Sequence, residues 1–175
     1  SYIQEFLTID KKLPINREKT HIYGPNNPFE YLGYEICDKK IRIAKRNCQR
    51  MKNKIRQKLN KKFTSHLDRK KVNQEQLLSE VMGLIFPKEK LPDHIMWLRY
   101  FTLANDAKQF REFDNFIENR IRLVYFGNKR NKHYTALPLD KLRKYHYVSL
   151  SKIYFDISRG RKTFSDYVKK FTKCN

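Results

Sequence analysis

Acidic residues are scarce in this chain: 18 Asp and Glu stand against 39 Lys and Arg, a formal net charge of +21 over 175 residues. Such an imbalance opposes compaction, because folding brings like charges together, and it calls for a negatively charged partner. Nucleic acid fits best among polyanions, since each phosphate neutralised by Lys or Arg releases counterions whatever the base sequence. An anionic membrane surface is the rival partner, and a general RNA-coating role would produce the same balance. Glycine and proline are few, at 5 and 6, whereas Phe and Tyr number 12 and 11. Disordered basic tails are poor in aromatics, so the cations decorate a folded, mostly helical body. One domain, or one domain with a small appendage, is expected at this length.

Only three cysteines occur, Cys37, Cys48 and Cys174, an odd number without framework spacing. They point to free thiols in a reducing compartment, which predicts a cytoplasmic protein. His21, His66, His94, His133 and His146 show no ligand spacing with each other or with the cysteines, which argues against a structural zinc site. No apolar run approaches the roughly 20 residues that cross a bilayer, and no secretory signal is visible, so no membrane partner is expected. Paired aspartates are also missing. Asp10, Asp38, Asp68, Asp93, Asp106, Asp114, Asp140, Asp156 and Asp166 are scattered, whereas two-metal phosphoryl transfer needs carboxylates that converge. A nuclease built from them is therefore disfavoured, and no complete active site and no metal ligands are expected. The chain opens at Ser1-Tyr2-Ile3, already inside an amphipathic pattern. We read this as the boundary of a fragment, natural or designed, and expect the chemistry to lie before Ser1.

Residues 2–8 pattern as the end of a helix, with Ile3, Phe6 and Leu7 on one face. Lys19-Thr20-His21-Ile22 reads as a short strand and residues 24–28 as a turn cluster. The runs 29–36 and 41–45, separated by Asp38-Lys39-Lys40, predict a β-hairpin. From Lys45 to Phe63 the period changes: Cys48, Met51, Ile55 and Leu59 form one narrow apolar stripe of a helix. Residues 45–62 hold nine Lys or Arg and no acid. A solvated helix mixes both signs, because opposite charges at i,i+4 stabilise it and like charges destabilise it. This one accepts repulsion, as it would if phosphates lay against it; a plain solvated face is the alternative.

Asn73 is the predicted cap of a helix over 74–86 that is apolar nearly all round, with Gln76 at the capping-box position. Asp93 is expected to cap the next, which carries Ile95, Trp97, Leu98, Phe101 and Ala104. A fourth uses Phe110, Phe113, Ile117, Ile121 and Val124 and ends at Gly127. Short helical patterns follow at 138–145, 149–158 and 163–172, with basic loops around Lys129 and Arg159. The predicted fold is mainly α with a small β part, divided into 1–44, a helical bundle over 45–127 and a basic helical extension over 128–175.

The order of these pieces carries a resemblance. LPINREKTHI, a turn, FEYLGYEI with KIRI, and then a basic amphipathic helix resemble the palm-to-thumb segment of bacterial reverse transcriptases of the group II intron, retron and diversity-generating kinds. LLSEVMGLIF, WLRYF and FDNFI continue the likeness as a three-helix thumb, so the resemblance covers about residues 1–127. The Tyr-x-Asp-Asp loop of the family is not in this sequence, and residues 128–175 match no maturase DNA-binding or endonuclease module.

The resemblance implies the thumb-containing C-terminal part of an RNA-directed DNA polymerase, inactive alone. Its Mg2+ would be held by fingers and palm residues outside this chain, with no cofactor here. Tyr31, Leu32, Gly33 and Tyr34 would form the primer grip; the plain alternative is a hairpin with Leu32 and Tyr34 in a core, and the two uses are compatible on opposite faces. Lys19 matches a family lysine able to protonate departing pyrophosphate, with an ordinary surface lysine as the alternative. Lys45, Arg46, Arg50, Lys52, Lys54, Arg56 and Lys58 would lie along an RNA or RNA–DNA primer–template duplex, about four to six phosphates being reachable at once. Lys129, Arg130, Lys132, Arg159, Arg161 and Lys162 are further phosphate-binding candidates. A freestanding basic RNA-binding domain that shares only the hairpin is the competing reading.

Overall fold

The computed structural model describes residues 5–13, 16, 18, 21, 23, 24, 26–63, 73–87, 91–127 and 136–172. The protein is mainly helical with one small antiparallel sheet. A single π-helical turn at Phe6–Asp10 stands where the sequence pattern suggested the end of a helix. Of the expected strand at 19–22, only His21 lies within the described residues, and it is not in a strand.

The sheet has three strands where the sequence suggested two: β1 (Phe29–Tyr31), β2 (Tyr34–Cys37) and β3 (Lys40–Ile43), in that order. The run 29–36 folds back on itself at Leu32-Gly33, so that Tyr31 pairs with Tyr34 and Phe29 with Ile36. Both turn residues have positive φ, 47° and 85°, the conformation of a two-residue turn whose twist suits a hairpin. Leu in that position hid the turn, since Asn or Gly is the usual sign. The second turn, at Asp38-Lys39, connects Cys37 to its partner Lys40.

Helix α1 (Lys45–Phe63) buries the predicted stripe through Met51, Ile55 and Leu59. It packs with α2 (Gln74–Ile85) and α4 (Ala107–Phe126) as a three-helix bundle, each helix touching the other two. The Asn73 side chain caps α2 by accepting from the Glu75 N–H at 3.0 Å, and Gly127 closes α4 in the left-handed conformation. The Trp-bearing helix α3 (Asp93–Arg99) is only two turns long. Its cap position is Pro92, not Asp93 as expected; the Asp93 carboxylate instead pairs with lysines of α1.

The last three helices, α5 (Leu139–Arg143), α6 (Leu150–Ser158) and α7 (Phe164–Thr172), share the core of the bundle through Leu142, Leu150, Ile153 and Tyr167. The buried Asp114 of α4 fixes this docking. It accepts the Leu150 N–H at 2.7 Å, the Ser151 N–H at 3.0 Å and the Ser151 hydroxyl at 2.6 Å, which satisfies the first turn of α6 from outside. Burial pushes this carboxyl up to about 6 against the pull of those donors.

Candidate nucleic-acid interface

Hairpin, α1 and α4 are locked together by amide side chains. Asn105 and Gln109, at the start of α4, finish the free edge of β3. The Ile41 N–H donates to Asn105 Oδ1 and the Ile43 N–H to Gln109 Oε1, both at 2.8 Å. In return the two amides donate to the Lys39 and Ile43 carbonyls at 2.9 and 2.7 Å. A sheet edge that would otherwise invite pairing is thereby closed.

The β1–β2 turn is pinned to α1. Gly33 C=O accepts the Ala44 N–H at 2.9 Å and Asn47 Nδ2 at 3.1 Å. A Cβ at Gly33 would lie 2.5 Å from Asn47 Nδ2 and 3.3 Å from the Phe101 ring, so glycine is required for both space and φ. Tyr34 is buried, its ring edge-on to Phe101 and its hydroxyl donating to the Tyr100 carbonyl at 3.0 Å. Tyr31 and Leu32 project outward, 61% and 79% exposed. Of the four predicted grip residues, Gly33 and Tyr34 therefore anchor the turn while Tyr31 and Leu32 present it. Leu32 does not enter the core, because it occupies the tip of the turn.

The cations of α1 separate into two flanks beside its apolar stripe. On one side Lys54 and Lys58 pair with Asp93 of α3, Lys54 at 3.5 Å. Burial opposes the charge on Asp93, but the hydrogen bonds and charges of Lys58 and Lys54 outweigh it and hold the carboxyl below its ordinary range. On the other side Lys52 and Arg56 lie over the Phe116 ring of α4, at 5.4 and 5.0 Å from its centre. Arg46 reaches Glu30 of β1 at 3.1 Å. Lys45 and Arg50 are exposed, with no ion pair among the described residues. The acids missing from α1 are thus partly supplied by Glu30 and Asp93, which charge counting along the helix alone does not reveal.

Arg120 of α4 joins the second flank, donating to Asn60 at 2.8 Å. Burial first, and then the positive charge of Arg56, press its pKa below the ordinary value. Sequence reasoning missed this residue, because its place beside Arg56 depends on how α4 crosses α1. Between β2–β3, α1 and α4 lies a concavity of about 480 Å3 with Arg42, Lys45, Arg46 and Lys52 against Glu35 and Glu112 in its lining. Cys48 also lines it, and burial pushes its thiol up to about 11, which disfavours the thiolate near neutral pH.

Arg159, Arg161 and Lys162 lie apart from these, on the α6–α7 turn. Arg159 lies over Phe155 and Lys162 over Tyr167, and the Arg161 and Lys162 N–H groups donate to the Asp156 carbonyl. Lys19, Lys129, Arg130 and Lys132 lie outside the described residues. No group of three His, Cys, Asp or Glu among the described residues could hold a metal ion, and no described helix is long and apolar enough to cross a membrane. Neither a family model nor a curated protein matches the chain at a significant level.

Proposed function

We propose that the chain is the primer grip and thumb of an RNA-directed DNA polymerase of the bacterial reverse-transcriptase type, holding a primer–template duplex by its phosphates. The observation that carries this reading is the attachment of the Leu32-Gly33 turn to the N-terminal half of α1 by the Asn47–Gly33 bond, with the Phe101 ring packed close by. A protruding turn and a row of cations then move as one body, as a clamp that keeps a primer end in register requires. Exposed Tyr31 and Leu32 supply surface for a sugar or base edge, and Arg46, Arg50, Lys52 and Arg56 supply phosphate contacts. Such contacts follow duplex shape and 2′-hydroxyls rather than base identity. The catalytic carboxylates and their Mg2+ belong to a palm outside this chain, and the free thiols Cys37 and Cys48 suit a reducing cytoplasm.

The test is affinity for an RNA–DNA hybrid, double-stranded DNA and single-stranded RNA over a salt series. Tight, salt-steep binding that favours the hybrid is expected, with no primer extension by the chain alone. Equal affinity for all three would reduce the protein to a general polycation and overturn the thumb assignment.

A further inference from the structure

Beside the turn, α1 and the end of α3 line a second, open concavity of about 330 Å3. Asn47, Arg50 and Lys54 stand on one wall and Trp97, Tyr100 and Phe101 on the other. The aromatic wall is braced from behind: Trp97 stacks on Phe113 with ring centres 5.1 Å apart, and Phe101 packs on Trp97 and Tyr34. Tyr100 is different. Its backbone carbonyl accepts from the Tyr34 hydroxyl, yet the residue is 73% exposed. Leu103, just beyond it, is 66% exposed.

We infer that this concavity holds one unpaired base of a single-stranded segment that continues from the duplex, stacked on Tyr100, with its phosphates on Arg50 and Lys54. The inference rests on the nucleic-acid reading of this edge and adds to it a site for the unpaired strand. Three features favour this occupant. The bases inside a duplex are already stacked on one another, so an exposed ring gains little from them, whereas an unpaired base has a free face. The opposite wall carries Arg50, which has no ion pair among the described residues, and Lys54, which shares Asp93 with Lys58. The space is also at the lower limit for a small-ligand pocket, room for one base.

Trp97 is the only tryptophan of the chain, so its fluorescence reports on this wall. The experiment titrates the chain with a blunt RNA–DNA hybrid, with the same hybrid carrying a four-adenine single-stranded extension, and with the free single strand. Anisotropy gives affinity and Trp97 emission gives occupancy. The extension is expected to tighten binding about tenfold and to quench Trp97, the effect of one base–aromatic stack. Y100L should lose that gain while keeping the affinity for the blunt hybrid, and Y100F should retain it. An extension that adds neither affinity nor quenching overturns the inference, and so does a Y100L that binds the extended hybrid as wild type does. A chain that fails on the blunt hybrid but binds the single strand in a Tyr100-dependent way would refute the duplex grip and leave this site standing. Self-association lost in Y100L, without any oligonucleotide-dependent quenching, would assign the surface to a second protein chain and overturn the inference.

Discussion

The edge formed by β1–β2 and α1 and the corner where α6 docks on α4 and α7 bonds to α6 use charge in opposite ways. Along α1 the cations outnumber their partners, and the acids that answer them, Glu30 and Asp93, remain part-exposed. At the corner the acids are buried or half-buried, and each accepts at least two hydrogen bonds. Asp114 accepts three hydrogen bonds. Glu118 accepts from the Tyr147 hydroxyl at 3.0 Å and from Arg122 at 3.2 Å. The Tyr167 hydroxyl and the Lys152 ammonium both donate to Asp156 and hold its carboxyl below the ordinary range. A chain with few acids therefore uses several of them to hold its own architecture together, and the remaining surface stays positive. Removing an acid should damage stability in one region, and removing a cation should damage binding in the other.

The sharpest break of that contrast is Asp114→Ala. It strands the Leu150 and Ser151 N–H groups in a buried setting, and a loss of about 3 kcal/mol is expected by urea unfolding. A loss below about 1 kcal/mol would mean that water reaches the α6 terminus and that the corner is not closed. Next in size is Gly33→Ala, which forces a side chain into a left-handed turn and against Asn47. We expect it to cost about 2 kcal/mol and to weaken hybrid binding, because the Asn47 bond that fixes the turn is lost.

A smaller effect lies in the pH profile. Burial lowers the His94 pKa to about 4, so the unfolded chain takes up the proton first and stability falls as pH drops from about 6.5 to 4. Asp114 acts in the opposite sense: its raised value favours the folded state below about 4, and that contribution is lost as pH rises through about 6. Between pH 4 and 6 the two slopes oppose each other. In Asp114→Asn only the histidine slope remains, so the stability of the variant relative to wild type should rise with pH across this range. Parallel profiles in urea titrations at pH 4.5, 5.5 and 6.5 would contradict the assignment.

Much of the helical part was legible in the sequence. The stripe Met51-Ile55-Leu59, the Asn73 cap and the Gly127 terminus each rest on local rules, and local rules placed α1, α2 and α4. Where the outcome depended on tertiary contacts, the pattern failed. Leu32 gave no turn signal, because its positive φ is imposed by the docking of Gly33 on α1 and Phe101. Asp93 looked like a cap, yet the lysines of α1 recruit its carboxylate. Asp114 sits in a helix that reads as amphipathic, and nothing nearby in sequence marks it as the acceptor for the first turn of a helix beginning 36 residues later. On the candidate interface, the basic character of α1 was plain, but its division into an Asp93 flank and a Phe116 flank, and the addition of Arg120, required the crossing of α1 and α4.

The most direct measurement compares two double variants of equal charge, Arg46→Ala with Arg50→Ala and Arg159→Ala with Arg161→Ala, for binding to an RNA–DNA hybrid over a salt series. Both remove two positive charges, so the long-range field changes alike. The account predicts that the α1 pair weakens binding strongly and lowers the log–log salt slope by up to about 1.8, the contribution of two phosphates, while the α6–α7 pair leaves the slope nearly unchanged. Equal losses in the two variants would mean that the whole surface binds indiscriminately, and the grip assigned to the hairpin and α1 would be wrong.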